Sequence, residues 1–524
     1  MKRREFIYLM GLPFVASQAL GMSAPNYSKL VYPGKDGKLV YVADENGNTI
    51  PDFSNCGYMG GGVKLPSAPE RVSVTPVQGD AGAIIQAAID KVSKMAADKD
   101  GFRGAVLIKK GVYRISQPIQ ITTSGVVLRG EGQDQNGTVL VATQRKQHSL
   151  IEVRGQSFGG KPVGTPRRIL DPYVPVGSHT FKLDSAKGLA VGDHVVVRRT
   201  GNKDWIHEIA MDRITPRASD PSGTKQWEPF NMDFDRFITH IDGDKITIDA
   251  PIVLAIEQRW GGGEVLAFES SGRINHVGIE NLRGDSEFDQ SLTAEIGDKK
   301  EKYFSDEQHG WDFISINSAE NVWVRDITAV HYGFSAVNIG QAKWATVQGS
   351  KCLDMVSQIT GSRRYCFNID GQQNLVQRCE ADTGRHSFVV GGRVCGPNVF
   401  LNCKASNQYA TSEPHHRWSV GGLYDNVAAD MAIQDRQWMG SGHGWAGANY
   451  VAWNCEGPLV CQRPPTAQNW AIGQIGEKQP GAFAPRPDGY WESQGRHAEP
   501  RSLYLQQLED RLGKAAVKNI GYSP

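Results

Sequence analysis

A six-residue pattern recurs through the second half of the chain and constrains its fold more than any other feature. The copies read HVGIEN (276–281), NVWVRD (321–326), WATVQG (344–349), NLVQRC (374–379), NVFLNC (398–403) and YVAWNC (450–455). Their first residues lie 45, 23, 30, 24 and 52 apart, and a weaker copy, NVAADM (426–431), divides the 52 into 28 and 24. A repeating unit of roughly 22 to 30 residues makes a solenoid. Each copy alternates apolar and polar residues over β-branched and aromatic positions, the pattern of a short strand. No long amphipathic helix separates the copies, which leaves a parallel β-helix rather than an α-containing repeat. In such a helix equivalent residues of successive coils stack about 4.8 Å apart, so sequence spacing measures spatial neighbourhood. Cys379, Cys403 and Cys455 hold the same place in three copies and are expected to form an interior ladder.

The same ruler groups the residues suited to chemistry. His309, His331, Arg364, His386, His416 and Arg436 precede the next copy by 12, 13, 10, 12, 10 and 14 residues, which places a His or Arg on one face of successive coils. They sit in the segments GSRRYCFN (361–368), TGRHSF (383–388), EPHHRW (413–418) and DRQWMGSGHGW (435–445). The competing reading is unrelated solvated charges in turns, the ordinary fate of His and Arg.

A formal net charge of +1 excludes a strongly basic nucleic-acid binder. A mean hydropathy of −0.40, with no apolar run long enough to span, excludes a membrane-spanning chain. The N-terminus has a cationic start, a short apolar stretch and small residues near Ala19 to Ala24, an export signal to the periplasm or the medium of a bacterium. Arg3 and Arg4 followed by Phe6 and Ile7 resemble a twin-arginine signal. Strand cysteines in a coil interior behave as small hydrophobes, so few or no disulfides are expected, with Cys395 and Cys461 the least constrained.

Beyond a signal at 1–24, a leader is expected at 25–59, cap and first coils at 60–160, a β-rich insertion at 161–265, the main coils at 266–476, and a linker plus helix at 477–524. The segment GDAGAIIQAAIDKVSKMAADKDG reads as an amphipathic helix with Ile84, Ile85, Ala88, Ile89 and Val92 on one face. This helix, followed by VLIKKGVYRIS and GVVLRGEG, resembles the N-terminal cap and first coils of the pectate-lyase-like right-handed parallel β-helix superfamily. The resemblance implies an all-β solenoid that grips a polysaccharide or oligosaccharide along one side. The insertion would either wall that groove, through Trp205, His207, Asp212 and Trp227, or decorate the solenoid.

Two reactions follow from the resemblance. The first is β-elimination at a uronate, which needs a cation for the carboxylate, a base for the adjacent proton and an acid for the leaving oxygen. Arg364 and Arg417 are expected at the carboxylate, His386 or His416 as base and Tyr365 as acid, with His443 a further proton carrier. His309, Asp312, His331, Arg363, Arg385, His415, Trp418, Asp435, Arg436 and Trp445 are expected to bind substrate. The second is glycoside hydrolysis by paired carboxyl groups. Its candidates are Asp306, Glu307, Asp312, Asp370, Asp382, Glu413, Asp425 and Asp435. A non-catalytic glycan-binding solenoid is the third possibility. No cofactor or metal is expected, and calcium on Asp306, Glu307 and Asp312 is the alternative.

Overall fold

The computed structural model describes residues 25–156, 160–483 and 485–523, and the expected export signal lies outside them. The chain winds into a right-handed parallel β-helix. One sheet carries the repeat: Val324, Val347, Val376, Phe400, Tyr424, Ala452 and Ala471 are successive register partners, and all are buried. The rings of Phe400 and Tyr424 stack with centroids 5.2 Å apart.

The end of each hexad is a bend. Asn281, Asp326, Gly349, Arg378, Asn402, Asn426, Asn454 and Gly473 are equivalent positions, and all have φ between 50° and 72°. Asn, Asp and Gly take this left-handed conformation at the least cost, which is why they recur at the end of the pattern. Register corrects the weaker copy: Val399 pairs with Leu423 and Leu423 with Val451, so the repeat is GLYDNV (422–427), four residues before the expected position. It divides the 52 into 24 and 28. The ladder after the bend is therefore Cys379, Cys403, Val427 and Cys455, all buried, and all eight cysteines are free.

The helix Gly82–Ser93 closes the N-terminal end with Ile85, Ala88, Ile89 and Val92 in the core. Ile84 is turned to solvent, because the stripe at 85, 88, 89 and 92 already fills the i, i+3, i+4, i+7 face. The leader, read from the sequence as an exposed segment, is exposed over 35–38 and 42–47 but docks on the coils through its apolar residues. Val31, Ile50, Phe53 and Cys56 pack with Leu503, Tyr504 and Leu508 of the helix Leu503–Leu512 against Val399, Leu423, Val451 and Trp453. The tail holds a second helix, Lys514–Asn519, after a break at Gly513. Leader and tail together cover the outside of the hexad sheet. This explains why its outward residues are as apolar as its inward ones.

The insertion departs after Arg154 and returns at Ile274, whose strand Ile274–Ser286 pairs directly with Val126–Arg129 and Thr138–Ala142. Its antiparallel sheet includes Lys161–Arg168 and Gly263–Glu269, and so ends a few residues beyond the expected boundary. The coils also run past 476, since Tyr490–Glu492 pairs with Trp470–Ile472.

A second parallel sheet stays uncovered by leader and tail. It runs through His148–Arg154, Gly310–Asn317, Ser335–Ile339, Tyr365–Ile369, His386–Val390 and Glu413–Pro414. One of its rows is polar, with Glu152, Ser315, Asn338 and Asn368 as successive partners. No helix among the described residues is long and apolar enough to cross a membrane.

Candidate active site

The chemistry gathers at the end of this second sheet. Tyr365 and His386 are register partners that begin consecutive strands, and Glu413 opens the next one. The chain then runs through His415, His416 and Arg417 in the turn, and the following coil supplies Arg436 and His443. Ring centroids tie the group together: Tyr365 to His386 5.2 Å, Tyr365 to His415 5.0 Å, His386 to His415 4.8 Å, His415 to His443 4.9 Å and His416 to His443 5.0 Å.

A hydrogen-bonded line crosses the floor of the cluster. Tyr365 Oη lies 2.9 Å from His415 Nε2, and His415 Nδ1 lies 2.9 Å from Glu413 Oε1. Arg436 Nη1 donates to the same Glu413 oxygen and lies 2.8 Å from His415 Nδ1. Two tautomers of His415 satisfy these contacts. In one, Nδ1–H donates to Glu413 and Nε2 accepts from the Tyr365 hydroxyl. In the other, Nε2–H faces the Tyr365 oxygen and Nδ1 accepts from Arg436. His415 can thus pass a proton either way.

His386 is oriented separately. Its Nδ1 lies 2.6 Å from the Thr411 carbonyl, which fixes the proton there and leaves Nε2 as the basic nitrogen. That Nε2 is buried and has no hydrogen-bond partner among the described residues. Burial holds all four histidines neutral. It pushes His386 and His415 well below the ordinary value, and it lowers His416 to about 4, with Arg417 and Arg436 adding to the effect. Burial and the neighbouring His415 lower His443 to about 2. Burial raises the Tyr365 hydroxyl, opposed chiefly by Arg385.

His386, Glu413 and His415 offer three ligand atoms within 4.8 Å of one another. Arg436 Nη1, 2.5 Å from Glu413 and 2.8 Å from His415, supplies a fixed positive charge between two of them. The donor set therefore fits a resident guanidinium better than a metal cation.

The mouth is cationic. Arg385 and Arg417 are half-buried and Arg393 is exposed, and none has a carboxylate partner within 4.0 Å among the described residues. Arg385 Nη1 is buried without a hydrogen-bond partner among the described residues. Glu413, the carboxylate in the floor, is already paired with Arg436.

Several expected residues are engaged elsewhere. Arg364 is only 2% exposed, and its guanidinium donates to the Ser357, Thr383 and Phe304 carbonyls, so it locks a loop. Arg363 forks onto Glu307 at 2.7 and 3.0 Å. His309 is fully buried against Ser286 and the Val356 carbonyl, and His331 bonds Asp285. Asp435 is held by Arg486 and Asp306 by Arg145. Asp312 accepts from Ser149 and Ser335, and burial raises it to about 6. Asp425 caps the C-terminal helix through Ser502 and Tyr504.

Trp418 and Trp445 are buried in a core shared with the insertion, where Trp418 meets Trp205 edge-on at 5.3 Å. They anchor the insertion and cannot stack on a sugar. Trp227 Nε1 bonds the Gly442 carbonyl, so the insertion braces the loop that carries His443. The glycines of that loop are needed there: a Cβ on Gly442 would come within 2.4 Å of the Lys225 carbonyl. His207 and Asp212, by contrast, form an exposed pair.

Arg393 escapes the spacing argument because it lies between the hexads and the histidine positions. The glycine pair before it was the available signal, since a Cβ on Gly392 would lie 2.8 Å from His416 Nε2.

No family model and no curated protein matches the chain. Among solved structures it is similar to the tailspike protein gp49 of Pseudomonas phage LKA1, at 14% identity and TM-score 0.44 over 75% of this chain and 55% of that one. It is also similar to a polygalacturonase from Erwinia carotovora (10%, TM-score 0.37, 83% and 98%) and to an alginate lyase from Paenibacillus (8%, TM-score 0.38, 82% and 99%). The chain spans about half the length of that tailspike.

Proposed function

We propose that this protein is an exported enzyme that cleaves a uronate-containing glycan by β-elimination. The observation that carries the reading is the Tyr365–His415–Glu413 line beside the unpartnered Nε2 of His386, beneath arginines that lack carboxylate partners.

Arg385 neutralises the sugar carboxylate, which makes the neighbouring ring proton acidic. His386 Nε2 takes that proton, and the C–H electron pair becomes the ring double bond. The bond to the glycosidic oxygen breaks, and Tyr365 Oη gives its proton to that oxygen. The Tyr365 phenolate is stabilised meanwhile by the Nε2–H of neutral His415, whose Nδ1 faces Arg436, and takes its proton back from solvent. His386 then returns its proton to solvent. No step needs a metal.

Hydrolysis is the second reading, favoured by Asp370. Its side chain reaches the surface, and its carboxyl accepts from Asn368 at 2.7 Å and is raised by partial desolvation, as a general acid requires. The two reactions leave different products. A panel of acidic and neutral glycans is incubated with the protein and scored for ultraviolet-absorbing unsaturated ends and for reducing ends. Elimination gives both, in step, on an acidic glycan only. Reducing ends without absorbance would overturn the elimination reading in favour of hydrolysis.

A further inference from the structure

Arg393 and Arg417 stand side by side at the mouth of the cluster. The Arg393 amide donates to the Arg417 carbonyl at 2.9 Å, and partial burial together with the nearby Arg417 guanidinium disfavours the Arg393 charge. Arg393 is laid over the ring of Phe230, a residue of the insertion, at 4.1 Å from its centroid. Arg417 is fixed by the Ser441 hydroxyl and carbonyl at 2.7 and 3.2 Å. The insertion holds that loop too, because the Lys225 amide donates to the Ser441 carbonyl at 3.1 Å. Two like charges are thus fixed next to each other by the insertion, with no acidic side chain paired to either among the described residues. Such an arrangement is unfavourable in the empty protein and becomes favourable when an anion bridges the pair.

We propose that Arg393 and Arg417, braced by Phe230 and Ser441, form an anion clamp for a second acidic group of the glycan, on a sugar next to the one processed over Tyr365 and His386. The clamp rests on the reading of the substrate as an anionic glycan. It adds that two acidic groups are recognised together, which makes the insertion part of substrate selection. A carboxylate and a sulfate ester share the required chemistry. Arg393 is a specificity residue in this scheme and touches no reacting atom.

The test is calorimetric titration of the parent, Arg393→Gln and Arg393→Lys with three tetrasaccharides: an oligouronate, its carboxyl-reduced counterpart and a sulfated neutral one. Tyr365→Phe is the common background, so that no ligand is consumed. The clamp predicts that Arg393→Gln weakens the acidic ligand on the order of five- to tenfold and leaves the carboxyl-reduced ligand unchanged. Arg393→Lys should recover part of the loss, and added salt should shrink the difference. Tighter binding of the sulfated than of the carboxylated ligand would assign the clamp to sulfate. Equal affinity of Arg393→Gln and the parent for every acidic ligand overturns the clamp and leaves the elimination reading standing. Binding that depends on Arg393, with no unsaturated product from the wild type, overturns the elimination and leaves the clamp standing.

Discussion

Tyr365 and His415 are fifty residues apart in the chain, and Tyr365 Oη sits 2.9 Å from His415 Nε2. The contact joins the start of one strand of the second sheet to the turn that ends a strand two coils on. His386 begins the strand between them, and its free nitrogen completes the group.

Removing the Tyr365 hydroxyl removes the proposed acid and its hydrogen bond to His415, while the ring keeps its contacts with Phe334 and His386. Tyr365→Phe is expected to lower kcat by about 10²- to 10⁴-fold with a smaller change in KM. Steady-state assay of unsaturated product checks this, and a variant within twofold of wild type would remove Tyr365 from the mechanism.

Glu413 and Arg436 form a buried ion pair, 1% and 5% exposed. Arg436→Met leaves a buried carboxylate uncompensated and should cost about 3–5 kcal/mol in urea unfolding. The double variant Glu413→Gln, Arg436→Met should recover most of that loss, since no lone charge remains. Equal loss in both would show that packing, not charge, dominates.

The histidines give the fold a pH dependence of definite sign. His416 titrates at about 4 in the folded protein and His443 at about 2, against about 6.5 in the unfolded chain. Between about 4 and 6.5 the unfolded chain binds more protons, so stability is complete above 6.5 and is lost as the pH falls. The groups facing His416 are Arg417, Arg436 and Arg393, which lower it further, and Glu413, which raises it. Melting temperatures are expected to fall from pH 7 to pH 4, and His416→Asn should flatten part of that slope.

Asn454 holds a coil bend at φ 51° and ties the tail down. Its amide donates to the Ala498 and Arg501 carbonyls, and its oxygen accepts from the Ala498 amide. Asn454→Ala should cost about 2–4 kcal/mol, combining left-handed strain with lost hydrogen bonds. Asn454→Gly should cost less, because glycine takes the same φ freely. Urea midpoints of the two variants check the order.

The sequence by itself determined the winding. Seven of the eight coil bends fall on Asn, Asp or Gly because each coil must turn through a left-handed bend, and that requirement is written locally, one residue per coil. The cysteine ladder and the capping helix were legible for the same reason. Spacing also placed His386, His416 and Arg436 on one face of neighbouring coils, and Tyr365 enters only as the neighbour of Arg364. Only the tertiary structure decided what each of those side chains meets. Arg364 has the right spacing but spends its guanidinium on three carbonyls, Trp418 and Trp445 lie under the insertion, and Arg393 reaches the mouth from outside the period. Periodicity fixes which coil a residue belongs to and its height along the axis, because those follow from backbone geometry. The partner of a side chain depends on loops and on an insertion that obey no period, so it exists only once the chain is packed.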